Sequence, residues 1–192
     1  MHSPECSLFP EHQRTLLELA KASIRHGIAE GTPIQVELAK LPPELVTPRA
    51  TFVTLEQNGG LRGCIGCLEA HRPLAVDIAA NAFAAAFRDT RFSPVRAEEI
   101  DGLEIHLSLL TQPEPLLFTS EADLISQLVP GRDGLILEEG WHRGTFLPSV
   151  WESLPDPKEF LHHLKRKAGL SGQHWSSTLR VQRYRAEIIP GP

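Results

Sequence analysis

No stretch of this sequence stays apolar for the roughly 20 residues that a membrane-spanning helix needs. The nearest approach, IAANAFAAAF at residues 78–87, is broken by Asn81 and followed at once by Arg88 and Asp89. Positive charge is also short. The 19 Lys and Arg face 24 Asp and Glu, a net charge of −5, so the field of the whole chain repels polyanions and argues against nucleic acid as a partner. The one basic stretch is C-terminal, with seven Lys and Arg against three Asp and Glu from Asp156 onward. There Lys165, Arg166 and Lys167 fit the last turn of a helix, where cations complement the dipole. Cysteine is scarce, with three residues, at positions 6, 64 and 67. An odd count behind a start, MHSPECSLFPEHQ, with no basic segment leading into an apolar run argues against a disulfide-stapled secreted scaffold and for a reducing cytoplasm. Internal repeats and low-complexity tracts are absent. The 192 residues suffice for one substantial core, so one soluble domain spanning 1–192 is expected.

What is present is a mixture of helical and β patterning. Residues 11–28 carry Leu16, Leu19, Ala20, Ile24 and Ile28 at helical spacing, with Gly27 or Gly31 to end the run. ATFVTLEQNGGLRGCIGCLEA reads as two β-rich runs joined by Gln57-Asn58-Gly59-Gly60, where Asn-Gly supplies the positive φ angles of a tight hairpin. Pro73 opens an alanine-rich, mostly buried helix. LEIHLSLL at 103–110 alternates strictly, with Glu104, His106 and Ser108 on one side, as expected of a half-covered antiparallel strand. Ser120 with Asp123 resembles a capping box for a short helix. A second hairpin is expected around Gly140 to Gly144, and a helix from Asp156 with Gly169 at its C-terminal end. The final strand changes alternation phase between Val181 and Tyr184, which suggests a bulge. Together these predict an α+β fold, antiparallel sheets with flanking helices.

The chemistry concentrates in Leu61-Arg62-Gly63-Cys64-Ile65-Gly66-Cys67. On a regular strand Arg62, Cys64 and Gly66 share one face, and Cys67 points to the other. That geometry opposes a CxxC redox pair, whose thiols converge at a helix N-terminus. A zinc site needs about four convergent ligands, and CIGC with His71 offers three candidates without a second cluster. No cofactor and no metal is therefore assigned. Glycines within a strand mark either tight packing or the close approach of a ligand, and both readings fit Gly63 and Gly66. Arg62 could grip a carboxylate or phosphate, or form an internal salt bridge with Glu56 or Glu104. Glu104 and His106 could supply a general base or belong to a solvated strand face. Asp89 and Arg91 suit a pair that pins a loop, and Trp141, Trp151 and Trp175 suit core or hairpin anchors.

The run LRGCIG, preceded by FVTL and a glycine turn, resembles the AMMECR-type domain family, whose prokaryotic members are called AmmeMemoRadiSam system protein A. DTRFSPV, LEIHLSLLTQPEPL, GLILEEG with TFLPSVW, and FLHHLKRKAGL extend the likeness over nearly the whole chain. The resemblance implies a larger subdomain from both chain ends, a smaller one from the middle, and the hexapeptide lining a cleft between them. It thereby favours a binding surface: Arg62, Gly63, Ile65 and Gly66 as substrate contacts, and Cys64 as nucleophile or contact with Glu104 or His106 as base. It also implies association with a Memo-type protein and a radical S-adenosylmethionine enzyme in a modification system of unknown reaction. The three-cysteine cluster motif of a radical enzyme is absent from this sequence. Lys165 stands where the family often has a cysteine, leaving Cys64 as the thiol backed by the motif. A non-enzymatic protein-interaction module is the alternative function, and a dithiol redox protein the third.

Overall fold

In the computed structural model, which describes residues 8–191, helix α1 runs Pro10–Glu30 and stops at Gly31, whose φ of +70° reverses the chain while its N–H caps the Gly27 carbonyl. Cys6 lies outside the described residues. After the short helix α2, Pro43–Val46, strands β1, Thr51–Gln57, and β2, Gly60–Gly66, form the expected hairpin. Its turn residues Asn58 and Gly59 have φ of +53° and +73°, the pair of left-handed conformations that matches strand twist in a two-residue turn. Helix α3, Leu74–Phe87, follows, then a 3-10 helix, Ala97–Gly102, and strand β3, Glu104–Leu110.

β3 pairs with β1, and β8, Ala186–Ile189, returns from the far end of the chain to give a four-stranded sheet in the order β2-β1-β3-β8. Among the described residues this first unit comprises 8–110 and 187–191. Val53, Leu55, Ile105, Leu107 and Leu109 face a core shared with Leu16, Ile24 and Ile78 of the helices. Asn81, which interrupts the apolar helix in sequence, donates to the backbone oxygen of Thr51 at 3.2 Å and to Asp77 at 2.9 Å, and Thr51 donates to Asp77 at 2.6 Å. The buried polar groups of α3 therefore bind it to β1 rather than going unsatisfied. The opposite face of the sheet carries Phe52, Thr54, Glu56, Cys64, His106 and Ser108, all half-buried, and the exposed Glu104.

The second unit, residues 111–186, holds β4, Glu114–Pro115, α4, Glu121–Gln127, β5, Gly134–Glu139, β6, His142–Phe146, α5, Pro157–Lys167, and β7, Arg180–Tyr184, with sheet order β4-β7-β5-β6. Ser120 caps α4 by accepting the Asp123 N–H, and Asp156 caps α5 in the same way for Glu159. The core joins Leu135, Leu137 and Val181 to Phe160, Leu161 and Leu164, with Trp151 stacked on Phe160 at 3.7 Å.

Two expectations need correction in this unit, and a third is met with an unexpected burial. The phase change before Tyr184 is not a bulge, because β7 pairs with β5 in unbroken register. Tyr184 is buried on the other face of the strand from Val181, where its partner Gly134 leaves room for the ring, and the chain then passes into β8. Lys165 lies in the last turn of α5 with Arg166 and Lys167, as expected, and there it turns inward. It is fully buried, with its ammonium 2.6 Å from Glu121 and 5.8 Å from the Trp175 ring. Trp141 is no core anchor: it is 91% exposed in the β5–β6 turn, its ring 5.5 Å from that of His142.

Candidate functional site

Strand β2 is an edge strand, yet its exposed backbone groups at Cys64 are covered. The Cys64 N–H donates to Asp89 at 2.9 Å, and Arg91 donates to the Cys64 carbonyl at 3.3 Å and to Asp89 at 2.7 Å. The pair thus does for the edge what a further strand would do. The Arg91 hydrogen bonds, helped by the Cys64 N–H, hold the Asp89 carboxyl far below the usual carboxylate range despite its burial. Because its backbone bonds point outward, Cys64 faces Thr54 as a non-hydrogen-bonded pair, the closer of the two antiparallel pairings. The Thr54 hydroxyl accordingly reaches the Cys64 sulfur at 3.3 Å.

A bulge breaks the alternation on which a shared face for Arg62 and Cys64 rested. Leu55 pairs with Gly63 and Glu56 with Leu61, so Arg62 is the extra residue. Its guanidinium donates to Glu99 at 2.8 and 3.2 Å, to the Ser93 carbonyl at 2.8 Å and to that of Pro94 at 3.4 Å. Four of its five N–H groups are thereby engaged, and these bonds hold the Glu99 carboxyl below its ordinary value. The internal partner is Glu99, not Glu56 or Glu104.

The other expected substrate contacts are closely packed within the fold. A β-carbon on Gly63 would stand 2.2 Å from the Ala85 carbonyl oxygen, and one on Gly66 2.3 Å from the Phe52 ring and the Thr51 carbonyl oxygen. Ile65 packs against the core. Cys67 continues the Ile65 phase, its N–H bonded to the Thr51 carbonyl at 3.0 Å, so the two cysteines, both free thiols, stay on opposite faces.

Cys64, His106 and Glu104 are the predicted residues that the sheet does bring to one face. Thr54 is flanked by Cys64 on one strand and His106 on the other, and Glu56 stands opposite Glu104 in the adjacent row. His106 lies 3.7 Å from Glu56 through Nε2, longer than a hydrogen bond. Among the described residues neither glutamate meets a lysine or arginine. Sequence reasoning passed over Thr54 as a functional residue and read Glu56 only as a partner for Arg62. The alternation of β1 outward at 52, 54 and 56 could have flagged both. The row spans two strand spacings, about 10 Å between the Cys64 and His106 backbones, with Thr54 between them.

The described residues include no helix long and apolar enough to cross a membrane. The AMMECR1 family model matches residues 17–189. A protein of Methanothermobacter thermautotrophicus is 40% identical over 182 residues, covering 92% of this chain and 92% of its own. One from Thermotoga maritima is 39% identical over 150 residues, 77% of this chain and 81% of its own. The crystal structure of the uncharacterised protein PH0010 from Pyrococcus horikoshii superposes with a TM-score of 0.82 at 34% identity, covering 94% of this chain and 92% of that one. On this agreement in sequence and in α+β fold, the chain belongs to the AMMECR1 family.

Proposed function

We propose that this protein is the substrate- or partner-binding component of a modification system, working with a Memo-type protein and a radical S-adenosylmethionine enzyme, and that its working surface is the half-exposed face of the first sheet. The observation that supports this reading is the row Cys64-Thr54-His106 with Glu56 and Glu104 beside it. Beyond the Thr54–Cys64 hydrogen bond, these side chains meet no lysine or arginine among the described residues, whereas Arg62, Gly63, Ile65 and Gly66 are paired or packed within the fold. Cys64 acts as nucleophile or contact toward a substrate lying over Thr54, and His106 and Glu104 meet the same substrate from the far side of the row. Arg62 acts as a positioning residue that fixes the bulge.

Co-expression of the full chain with a Memo-type protein and a radical S-adenosylmethionine enzyme tests this, with mass spectrometry of the partners and of small metabolites. A mass change that needs the native chain and disappears with Cys64→Ala, at an unchanged melting temperature, is the expected result. A mass change that survives Cys64→Ala removes Cys64 from the chemistry. Stable co-purification without any mass change favours a non-enzymatic interaction module instead.

A further inference from the structure

The geometry points to a second property of this face: we propose that Glu56, Glu104 and His106 bind one divalent transition-metal ion. β1 and β3 set Glu56 directly opposite Glu104, and His106 follows two residues along β3 on the same side. One ligand atom from each of the three lies within 4.8 Å of the others. Carboxylate oxygens and imidazole nitrogens each about 2.1 Å from a zinc ion stand roughly 3–3.5 Å apart, so closing the set asks for a shift of about 1 Å in side chains that are half-buried or exposed.

The charge balance supports the same assignment. Like charges directly opposite on neighbouring strands destabilise a sheet, and Glu56 and Glu104 occupy such a pair. The carboxylates at the β2 edge are each matched by an arginine, Asp89 by Arg91 and Glu99 by Arg62. Glu56 and Glu104 have no such match among the described residues, and the His106 nitrogen nearest them makes no hydrogen bond. Two carboxylate oxygens and one imidazole converge where no lysine or arginine among the described residues meets them.

The donor set selects the ion. An imidazole with two carboxylates suits Zn²⁺, Mn²⁺, Fe²⁺ or Co²⁺, while Mg²⁺ and Ca²⁺ favour all-oxygen shells and Cu⁺ favours sulfur. Three protein ligands leave positions open for water or substrate, the arrangement of a catalytic rather than a structural site. Local spacing in the sequence reveals only Glu104 and His106, since Glu56 lies 48 and 50 residues before them on another strand. The ion site shares its sheet face with the proposed working surface but does not depend on Cys64 being reactive.

The test is equilibrium dialysis of the full, chelator-stripped chain against Zn²⁺, with Mg²⁺ as competitor and Co²⁺ as an optical probe. One Zn²⁺ per chain is expected, unaffected by equimolar Mg²⁺. Glu104→Gln, Glu56→Gln and His106→Ala should each weaken binding by about tenfold or more, equivalent to about 1.4 kcal/mol, and each should melt in EDTA no lower than the native chain. Cys64→Ala should leave affinity unchanged, and the Co²⁺ spectrum should lack a thiolate charge-transfer band. Failure to bind Zn²⁺ stoichiometrically overturns the proposal, as does binding that survives all three ligand variants. A thiolate band lost in Cys64→Ala overturns this ligand set. Loss of Zn²⁺ binding in the ligand variants would stand whether or not Cys64→Ala alters any modification, so the two readings fail separately.

Discussion

A methyl group added at Gly63 would stand 2.2 Å from a helix carbonyl, whereas the Cys64 side chain next to it meets a threonine hydroxyl on a half-exposed face. Backbone cannot yield to that methyl as a flexible side chain could, so Gly63→Ala should cost about 1–3 kcal/mol through displacement of α3 from β2. Arg62→Ala should cost about 1.5–3 kcal/mol, because Glu99 keeps its half-buried charge and loses its bidentate partner. Cys64→Ser should stay within about 0.5 kcal/mol of the native chain, as substitutions away from packed features do. Urea unfolding followed by circular dichroism measures all three, and a Gly63→Ala variant as stable as Cys64→Ser would show that the strand has room for a ligand after all. The motif left two readings open at this scale for a physical reason. A glycine in a strand looks the same in sequence whether a ligand or a helix approaches it, and the partner of Arg62 lies 37 residues away. That Glu104 and His106 share one side of β3 was legible, because alternation sets it; that Cys64 shares their face was not, because it depends on β1 pairing with both strands.

At the scale of elements, the hairpin at β1–β2 and the alternating β3 follow from local pattern, since turn chemistry and period-2 burial act within a few residues. The Arg62 bulge and the passage of the last strand from β7 into β8 do not, because pairing register is a property of two segments. The edge of β2 depends on such a remote segment, the Asp89–Arg91 pair. The Asp89 carboxyl is held well below its unfolded value, chiefly by Arg91. A depressed carboxyl contributes its full stabilisation above the unfolded value, near 3.9, and loses it as pH falls toward the folded one. Asp89→Asn should therefore be less stable than the native chain at pH 7, yet lose less stability between pH 5 and pH 2. Circular dichroism in urea at several pH values checks both halves. Parallel acid profiles for the two proteins would mean that Asp89 contributes no linkage and that the loop is held by other contacts.

For the whole molecule, the return of β8 to the first sheet makes one unit discontinuous in the chain and leaves the other as a continuous insertion with its own core. Every tryptophan and the single tyrosine fall in that second unit, at positions 141, 151, 175 and 184. Tryptophan emission consequently reports the second unit alone, and Tyr184 gives it a particular response to alkali. Burial pushes the Tyr184 phenol up to about 12, against a weaker opposing pull from the Thr145 hydroxyl. The phenol is neutral when folded, so as pH rises above about 10 the unfolded chain releases a proton that the folded chain keeps. Stability falls by up to about 1.4 kcal/mol per pH unit until the folded value is reached, roughly 2–3 kcal/mol in all. Tyr184→Phe removes that linkage and also the 3.0 Å hydrogen bond to the Phe146 carbonyl, worth about 1 kcal/mol. The variant should be the less stable protein at pH 8 and the more stable one near pH 12, with the curves crossing in between. Urea unfolding followed by tryptophan emission at pH 8, 10 and 11.5 measures the difference. A constant gap across that range would show that the ring is open to water, and that the change of phase before Tyr184 does not bury the phenol.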